Sequence, residues 1–257
     1  MPTLTIDGKL IEAAQGESVL QVVRQAGVKL PTLCYWDGLP AYGACRLCMV
    51  EMTAPTQIVI AACAYPAEDG MVIETQGKPA VAIRKAMLEF LLARCPTSEV
   101  ILEYAHAAGI SETRFTSDYT GRLAAPGSEM CILCGLCVRI CRDLVGASAI
   151  GFNGRGAERQ VGTPFFLQSE ACIGCGACAY VCPTNAIRIE DIEGQRFLRT
   201  WNTVVPLKPC PVCGQSFAPE PMAFLRETAE SSAELWGVCP TCRRKQAAAQ
   251  ALSISLG

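Results

Sequence analysis

Two runs of cysteine decide the fold of this chain: Cys131-Ile-Leu-Cys-Gly-Leu-Cys-Val-Arg-Ile-Cys141 and Cys172-Ile-Gly-Cys-Gly-Ala-Cys-Ala-Tyr-Val-Cys182, the latter followed by Pro183. Both have the spacing C-x2-C-x2-C-x3-C, which is typical of a two-cluster ferredoxin. Three thiolates from one run wrap three corners of a [4Fe–4S] cube, and the fourth crosses over to the other cube. The spacing therefore predicts two clusters in a fixed geometry, an arrangement suited to moving electrons.

The crossover divides the eight cysteines into two groups. The first cube group is Cys131, Cys134, Cys137 and Cys182, and the second cube group is Cys172, Cys175, Cys178 and Cys141. Structural zinc at these positions is the weaker alternative. A disulfide scaffold is disfavoured too, because such scaffolds are small secreted domains, whereas this chain has 257 residues and an odd number of cysteines, 17.

Composition favours several small modules in a reducing compartment. The cysteines cluster at 34–63, 131–182 and 210–242, so we expect metal binding to supply much of the folding free energy. The N-terminus lacks the basic and apolar regions of a signal peptide, and no stretch has the roughly 18 uncharged apolar residues of a membrane span. These features predict a cytoplasmic protein without a direct membrane span. The formal net charge of −2 gives no sign of nucleic-acid binding.

The N-terminal residues predict a β-grasp domain. Thr3 to Ile6 alternates, Asp7-Gly8 is a strong hairpin turn, and Lys9 to Glu12 returns as a second strand. Ser18 is then expected to cap an apolar helix that ends near Gly27. Strand, hairpin and helix in this order suit a β-grasp fold.

A further set of cysteines follows this domain and predicts a [2Fe–2S] cluster. We call Cys34, Cys45, Cys48 and Cys63 the [2Fe–2S] group. One cysteine, a C-x2-C pair and a distant fourth form the plant-type pattern, although the first interval here is ten residues rather than four. Gly43 and Ala44 are small enough to let backbone N–H groups approach the sulfur atoms.

These motifs resemble a known family. Pro31-x2-Cys34-Tyr35-x7-Gly43-x-Cys45-Arg46-x-Cys48 and the first cysteine run, with Ala149 to Gly156 after it, resemble the large iron–sulfur subunit of complex I. They are similar also to the iron–sulfur diaphorase subunit of NAD-linked [NiFe] hydrogenases and to related formate dehydrogenases. The resemblance covers roughly residues 1–200 and implies the order [2Fe–2S] domain, helical connector, two-cluster domain.

The chain departs from this family in the connector. Relatives usually carry a third [4Fe–4S] site there, held by one histidine and three cysteines, but this chain offers Cys95 and His106 alone. We therefore expect that site to be lost and these two residues to be packing residues. Val81 to Leu92 and Ser98 to Ala108 still predict helices.

The last residues predict a separate metal site. Cys210, Cys213, Cys239 and Cys242, the C-terminal group, form two C-x2-C knuckles, and Pro221 to Trp236 between them predicts a helix. Four thiolates in this pattern are typical of a zinc ribbon with one zinc ion, although the 25 residues between the knuckles exceed the usual 15 to 20. A third [4Fe–4S] cluster is the open alternative.

The predicted fold class is α+β with four units. These are a [2Fe–2S] β-grasp domain (1–77), a helical connector (78–125), a bis-[4Fe–4S] ferredoxin domain (126–200) and a four-cysteine, zinc-ribbon-like extension (201–257). No strand–GxGxxG–helix pattern and no P-loop is present. We therefore expect a non-catalytic subunit without catalytic residues of its own.

The expected function is electron transfer within a cytoplasmic multi-subunit NAD(P)-linked oxidoreductase. The resemblance implies two partners, a flavin- and NAD(P)-binding diaphorase subunit and a catalytic subunit of hydrogenase or formate dehydrogenase type. The alternative is a free ferredoxin-like electron carrier. A redox-sensing regulator that binds nucleic acid is disfavoured by the acidic balance.

Overall fold

The computed structural model describes residues 1–115, 130–219 and 237–254, apart from the side chains of residues 157 and 250–254. Its N-terminal region is a mixed five-stranded sheet, in the spatial order β2-β1-β5-β3-β4. The strands are β1 (Thr3–Ile6), β2 (Lys9–Glu12), β3 (Met49–Ala54), β4 (Ile58–Ala61) and β5 (Val72–Glu74). β1 and β5 are parallel, and the other neighbours are antiparallel.

The local predictions for this region are confirmed. Asp7 and Gly8 join β1 to β2 with φ of +47° and +81°, the left-handed conformations that a tight hairpin turn needs. Helix α1 (Val19–Gln25) begins after Ser18, whose hydroxyl accepts a hydrogen bond from the Gln21 N–H. The side-chain oxygen of Gln21 in turn accepts a hydrogen bond from the Ser18 N–H. This reciprocal pair fixes where the helix begins.

Helix α1 packs on one face of the sheet and closes an apolar core. Leu4, Ile6, Leu20 and Ile73 are fully buried in it. Burying an aliphatic side chain of this size contributes about 1.5–3 kcal/mol. The core also includes Cys48 and Cys63, so half of the [2Fe–2S] group is built into it.

Two helices form the connector. Helix α2 (Lys78–Arg94) is longer than the predicted segment, and α3 (Glu99–Ala107) matches its prediction, with Ser98 and Ala108 as its caps. Pro79 lies in the first turn of α2, where backbone N–H groups have no intrahelical acceptor, so proline costs the helix no hydrogen bond there. The buried Arg84 of α2 donates to the Met49 carbonyl, which attaches the connector to β3.

The cluster region is built from short elements. Helix α4 (Leu136–Arg139) continues into a π-helical turn (Ile140–Leu144), β6 (Gly151–Asn153) pairs with β7 (Gln160–Gly162), and α5 (Ala177–Tyr180) follows. Single 3₁₀ turns lie at Gly156–Glu158, Pro164–Phe166 and Arg199–Trp201.

An antiparallel sheet closes the region in the order β11-β10-β9-β8. Its strands are β8 (Ile189–Ile192), β9 (Gln195–Leu198), β10 (Thr203–Pro209) and β11 (Ser216–Pro219), and helix α6 (Pro240–Ile254) ends the described chain. β9 pairs with β10 across residue 200, so one sheet spans the predicted boundary between the ferredoxin domain and the extension. The helix predicted over residues 221–236 lies outside the described residues. Within the described ranges, no helix has the length and apolar character needed to cross a membrane.

Candidate iron–sulfur and metal centres

The [2Fe–2S] group lies between the sheet and the connector. Cys48 directly precedes β3 and Cys63 follows β4, and the antiparallel register of Met49 with Ala61 brings them side by side. Cys34 and Cys45 reach the same place from the loop after α1 and pack in the connector core. All four side chains are buried, with at most 5% of any residue exposed.

Hydrogen bonds in this group favour an anionic sulfur. Cys34 Sγ accepts from the thiols of Cys45 and Cys63, and from the backbone N–H of Cys45 at 3.4 Å. These donors lower the pKa of Cys34 to about 2, and the same bonds raise the pKa of Cys45 and Cys63. The Ala44 N–H also donates to Cys34, as the small residues of this loop predicted. Thiolate is the form of cysteine that binds metal.

The first cube group surrounds one cavity. Cys131, Cys134 and Cys137 come from the first run and Cys182 comes from the second, and all four line this cavity beside Ile187 and Trp201. Burial raises the pKa of Cys131, and the nearby Cys182 raises it further. The Cys182 sulfur also accepts from the Ala186 N–H at 3.3 Å.

The second cube group lines a neighbouring cavity. Cys172, Cys175 and Cys178 come from the second run, and Cys141 comes from the first. Burial is the main cause of the raised pKa of Cys172, Cys175 and Cys178, and Cys141 adds to it in each case. The structure thus places the eight cysteines at two neighbouring cavities, each lined by three cysteines of one run and one of the other.

The two loops share one backbone conformation. Leu133 and Gly174 have φ of +55° and +66°, and Gly135 and Gly176 have φ of +71° and +81°. As a result, equivalent backbone N–H groups turn toward sulfur in both loops. The N–H of Leu133 and of Gly174 donates to the first cysteine of its loop, and the N–H of Leu136 and of Ala177 donates to the second.

The first cube group is a neighbour of both other groups. Cys34 is near enough to raise the pKa of Cys134, although burial is the main cause of that rise. Cys178 likewise adds to the raised pKa of Cys137. Cys34 and Cys134 also pack in the same buried core. The first cube group therefore adjoins the [2Fe–2S] group on one side and the second cube group through Cys137 and Cys178.

Two residues beside these groups were not predicted. Arg139, only 6% exposed, donates to the carbonyls of Cys34 at 2.8 Å and of Pro40 at 2.5 Å, and its guanidinium lies 5.2 Å from the Tyr42 ring centroid. The sequence signal for Arg139 was its positive charge between the apolar residues Val138 and Ile140. Trp201 Nε1 donates to Cys178 Sγ at 3.4 Å, and its ring lines both cavities. No local pattern identified Trp201.

The connector touches the first cube group without converging on a site of its own. Arg94 Nε donates to the Cys131 carbonyl at 2.6 Å. Cys95 is fully buried and burial raises its pKa to about 12, whereas His106 is exposed. In the described part of the chain, neither residue belongs to a set of three or more metal-binding side chains with converging donor atoms. The loss of a histidine–cysteine cluster site stays a prediction.

The sulfur atoms of the C-terminal group lie closer together than those of the other cysteine groups. Its four Sγ atoms all lie within 4.8 Å of one another, and those of Cys213 and Cys239 are 3.7 Å apart. The Cys239 N–H donates to Cys210 Sγ at 3.3 Å and lowers the pKa of Cys210 to about 6. Across residues 1–115, 130–219 and 237–254, no other Cys, His, Asp and Glu side chains converge in this way.

Comparison with known proteins supports the iron–sulfur assignment of two regions. Residues 1–78 match the 2Fe-2S iron-sulfur cluster binding domain family, and residues 130–215 match the 4Fe-4S dicluster domain family. The second match ends after the first knuckle of the C-terminal group.

The chain is also similar to subunits of NADH-ubiquinone and NADH-quinone oxidoreductases. It is 33% identical to the mitochondrial 78 kDa subunit of NADH-ubiquinone oxidoreductase from Neurospora crassa, over 62% of this chain and 24% of that protein. It is 32% identical to an NADH-quinone oxidoreductase subunit from Rhizobium meliloti, over 83% of this chain and 27% of that protein. The chain thus spans about a quarter of the length of these relatives.

A solved structure is similar over most of its own length. A chain in the crystal structure of an NAD+-reducing [NiFe]-hydrogenase in the H2-reduced state is 30% identical to this one, with a TM-score of 0.54. The match covers 62% of this chain and 74% of that one. This chain belongs to the same family of iron–sulfur subunits. The motif-based resemblance is thereby confirmed for the complex I and hydrogenase relatives.

Proposed function

We propose that this chain is the electron-transfer iron–sulfur subunit of a cytoplasmic multi-subunit NAD(P)-linked oxidoreductase of hydrogenase or formate dehydrogenase type. The adjacency of the first cube group to both other cysteine groups is the observation that carries this proposal. Electrons enter or leave at the [2Fe–2S] group and at the second cube group, and the first cube group lies between them. Family membership supports an NAD-linked complex as the setting.

The cysteines match the cofactors that this function needs. The [2Fe–2S] group holds one [2Fe–2S] cluster, and the two cube groups hold one [4Fe–4S] cluster each. The five-stranded sheet with α1 on one face supports a β-grasp classification for the N-terminal domain. The two knuckles of the C-terminal group support a zinc-ribbon-like module.

The chain's own residues prepare the sites. When bound, each cluster supplies a one-electron redox centre. The cysteines provide thiolates, and backbone N–H groups of the two loops stabilise charge on sulfur. Trp201 donates a further hydrogen bond to Cys178 and, with Ile187 and Leu198, covers the cavities against water. Hydrogen bonds to sulfur and exclusion of solvent are the features by which a protein sets a cluster's potential.

Catalysis is assigned to partner subunits. The sequence carries no dinucleotide-binding motif, so we assign the nucleotide and flavin chemistry to a diaphorase subunit. Hydrogen or formate chemistry is assigned to a second, catalytic subunit. The reducing cytoplasm suits the 17 cysteines, since thiolates there stay available for metal.

Tagging the chain in its native host and purifying it anaerobically tests the proposal. The chain should elute in a larger complex with a flavoprotein, and NADH or NADPH should reduce its clusters, as followed by EPR. The separated chain should accept electrons from dithionite but not from the nicotinamide nucleotides. Elution of all the chain near its own 27.4 kDa, with no flavoprotein, would support the free carrier and contradict the subunit assignment.

A further inference from the structure

We propose that the C-terminal group binds a single zinc ion, and that this ion holds the β10–β11 hairpin over the loop of the second cube group. The zinc site is thereby a structural clamp on one redox centre and carries no electrons. The inference concerns metal content and loop packing, and it stands apart from the identity of the electron donor and acceptor.

The sulfur spacing favours one ion over a cluster. Four thiolates that share one zinc at about 2.3 Å stand about 3.8 Å apart. The Cys213 and Cys239 sulfurs are 3.7 Å apart, and all four sulfurs fit within 4.8 Å. The thiolates of a [4Fe–4S] cube bind four different irons and therefore stand further apart. Neither cube group of this chain converges as the C-terminal group does, although both lie within the described residues.

The backbone around the site is built to hold the ion. Cys210 ends the strand region and Cys213 lies in the β10–β11 turn, which is closed by hydrogen bonds from Gly214 N–H to the Cys210 carbonyl and from Cys210 N–H to the Gln215 carbonyl. Cys239 and Cys242 lie at the start of α6, where the Cys242 N–H donates to Cys239 Sγ at 3.4 Å. The four ligands therefore join a hairpin turn to a helix start, and one ion completes a closed tetrahedral site.

The hairpin reaches the second cube group at its other end. Gly174 lies between Cys172 and Cys175, and a Cβ there would overlap Val205 Cγ2 of β10 and lie 3.3 Å from Pro219 Cγ of β11. Arg196 of β9 donates to the Gly174 carbonyl at 2.9 Å. Pro219 is buried and pairs with Leu207. The loop that carries three ligands of the second cube group is therefore covered by the strands that the C-terminal group fixes.

Zinc removal should consequently affect one cube group and spare the other. Val205 of β10 pairs with Arg196 of β9, so we expect the contact of Val205 with Gly174 to persist without zinc. Among the described strands, β11 pairs with β10 alone, so we expect its position to depend on the knuckle at Cys210 and Cys213. Without the ion, Pro219 is expected to leave Gly174 and to expose the 172–178 loop to water.

The 257-residue chain carrying Cys213→Ser, purified anaerobically, tests the clamp. Cys213 is the exposed member of the group, so serine fits without repacking. We expect loss of one zinc per chain, unchanged iron, and several-fold faster hydrogen exchange in residues 172–178 with no change in residues 131–137. Val212→Ser, at an exposed non-ligand position in the same turn, is the matched control and should change neither metal content nor exchange.

A second variant separates the clamp from the metal. Pro219→Gly keeps all four cysteines and should keep the zinc, yet it should speed exchange in residues 172–178. Loss of iron instead of zinc in Cys213→Ser would overturn the single-zinc site. Unchanged exchange in residues 172–178 in both variants would overturn the clamp.

Discussion

The N-terminal sheet and the two-cluster region differ in what holds them together. Sixteen buried residues pack behind the N-terminal sheet, and only two of them are cysteines. The buried core of the cluster region has eight residues, two of them cysteines, and three more cysteines pack against it, namely Cys141, Cys172 and Cys182. Thus the first region has a large apolar core beside its metal group, whereas in the second region the core is smaller and cysteines make up a greater share of it.

This difference has an energetic meaning. Small regions bury too little apolar surface to offset the conformational entropy of folding, and bound metal supplies the missing free energy. The cluster elements are also short, with three or four residues in α4, α5, β6 and β7. We therefore infer that metal is a folding component in the second region and mainly a redox component in the first.

Removal of all metal should produce the largest contrast. The metal-free 257-residue chain is expected to keep slow hydrogen exchange in β1 and β5, because the N-terminal core contains few ligands. Residues 131–209 should lose protection, since structural metal binding of this kind contributes on the order of 10 kcal/mol. Exchange mass spectrometry of apo and holo chain measures both. Retained protection in the cluster loops without metal would contradict the comparison.

A cavity in the N-terminal core should have the next largest effect. Leu20→Ala removes a fully buried side chain and should lower the free energy of opening of β1 and β5 by about 2–5 kcal/mol. Iron in the cube groups should stay unchanged. The control is Leu10→Ala, a side chain 73% exposed, which should change stability by less than about 0.5 kcal/mol. Equal effects of the two variants would show that this core does not hold the region.

Arg139 sharpens the comparison because it joins the two regions. Arg139→Gln removes charged hydrogen bonds to the Cys34 and Pro40 carbonyls, and should cost about 1.5–3 kcal/mol. We expect it also to alter the [2Fe–2S] EPR signal, because the loop that carries Cys34 loses its anchor. Arg142→Gln, at an exposed position on the same helical segment, should do neither. An unchanged EPR signal in Arg139→Gln would remove Arg139 as a positioning residue.

The sequence shows the local part of this design and misses the long-range part. Asp7-Gly8 and the Ser18 cap are local signals, and the hairpin and the helix that they predicted are present. The cysteine spacings are local signals too, and the cysteines of the two runs line two neighbouring cavities. The Arg139 contact to Cys34 spans 105 residues and the Trp201 contact to Cys178 spans 23. Such contacts arise only when distant segments pack together, and no periodicity or spacing encodes them. The sheet across residue 200 was missed for the same reason.

The smallest expected effect concerns the salt bridge beside the second cube group. Arg196 donates to Asp191 and lowers the pKa of that carboxyl. Its stabilisation is therefore present above the unfolded pKa of about 4 and is lost as pH falls through the lower folded pKa. Because the Asp191 side chain is 41% exposed, Asp191→Asn should cost less than about 1 kcal/mol at pH 7. The difference between Asp191→Asn and wild type in urea should vanish in acid.

Iron, sulfide and zinc per chain, measured on anaerobically purified protein, test the central claim most directly. Three cluster groups and one single-ion site predict about ten irons, about ten sulfides and about one zinc. About fourteen irons without zinc would contradict the account, because the C-terminal group would then hold a third [4Fe–4S] cluster and belong to the electron path.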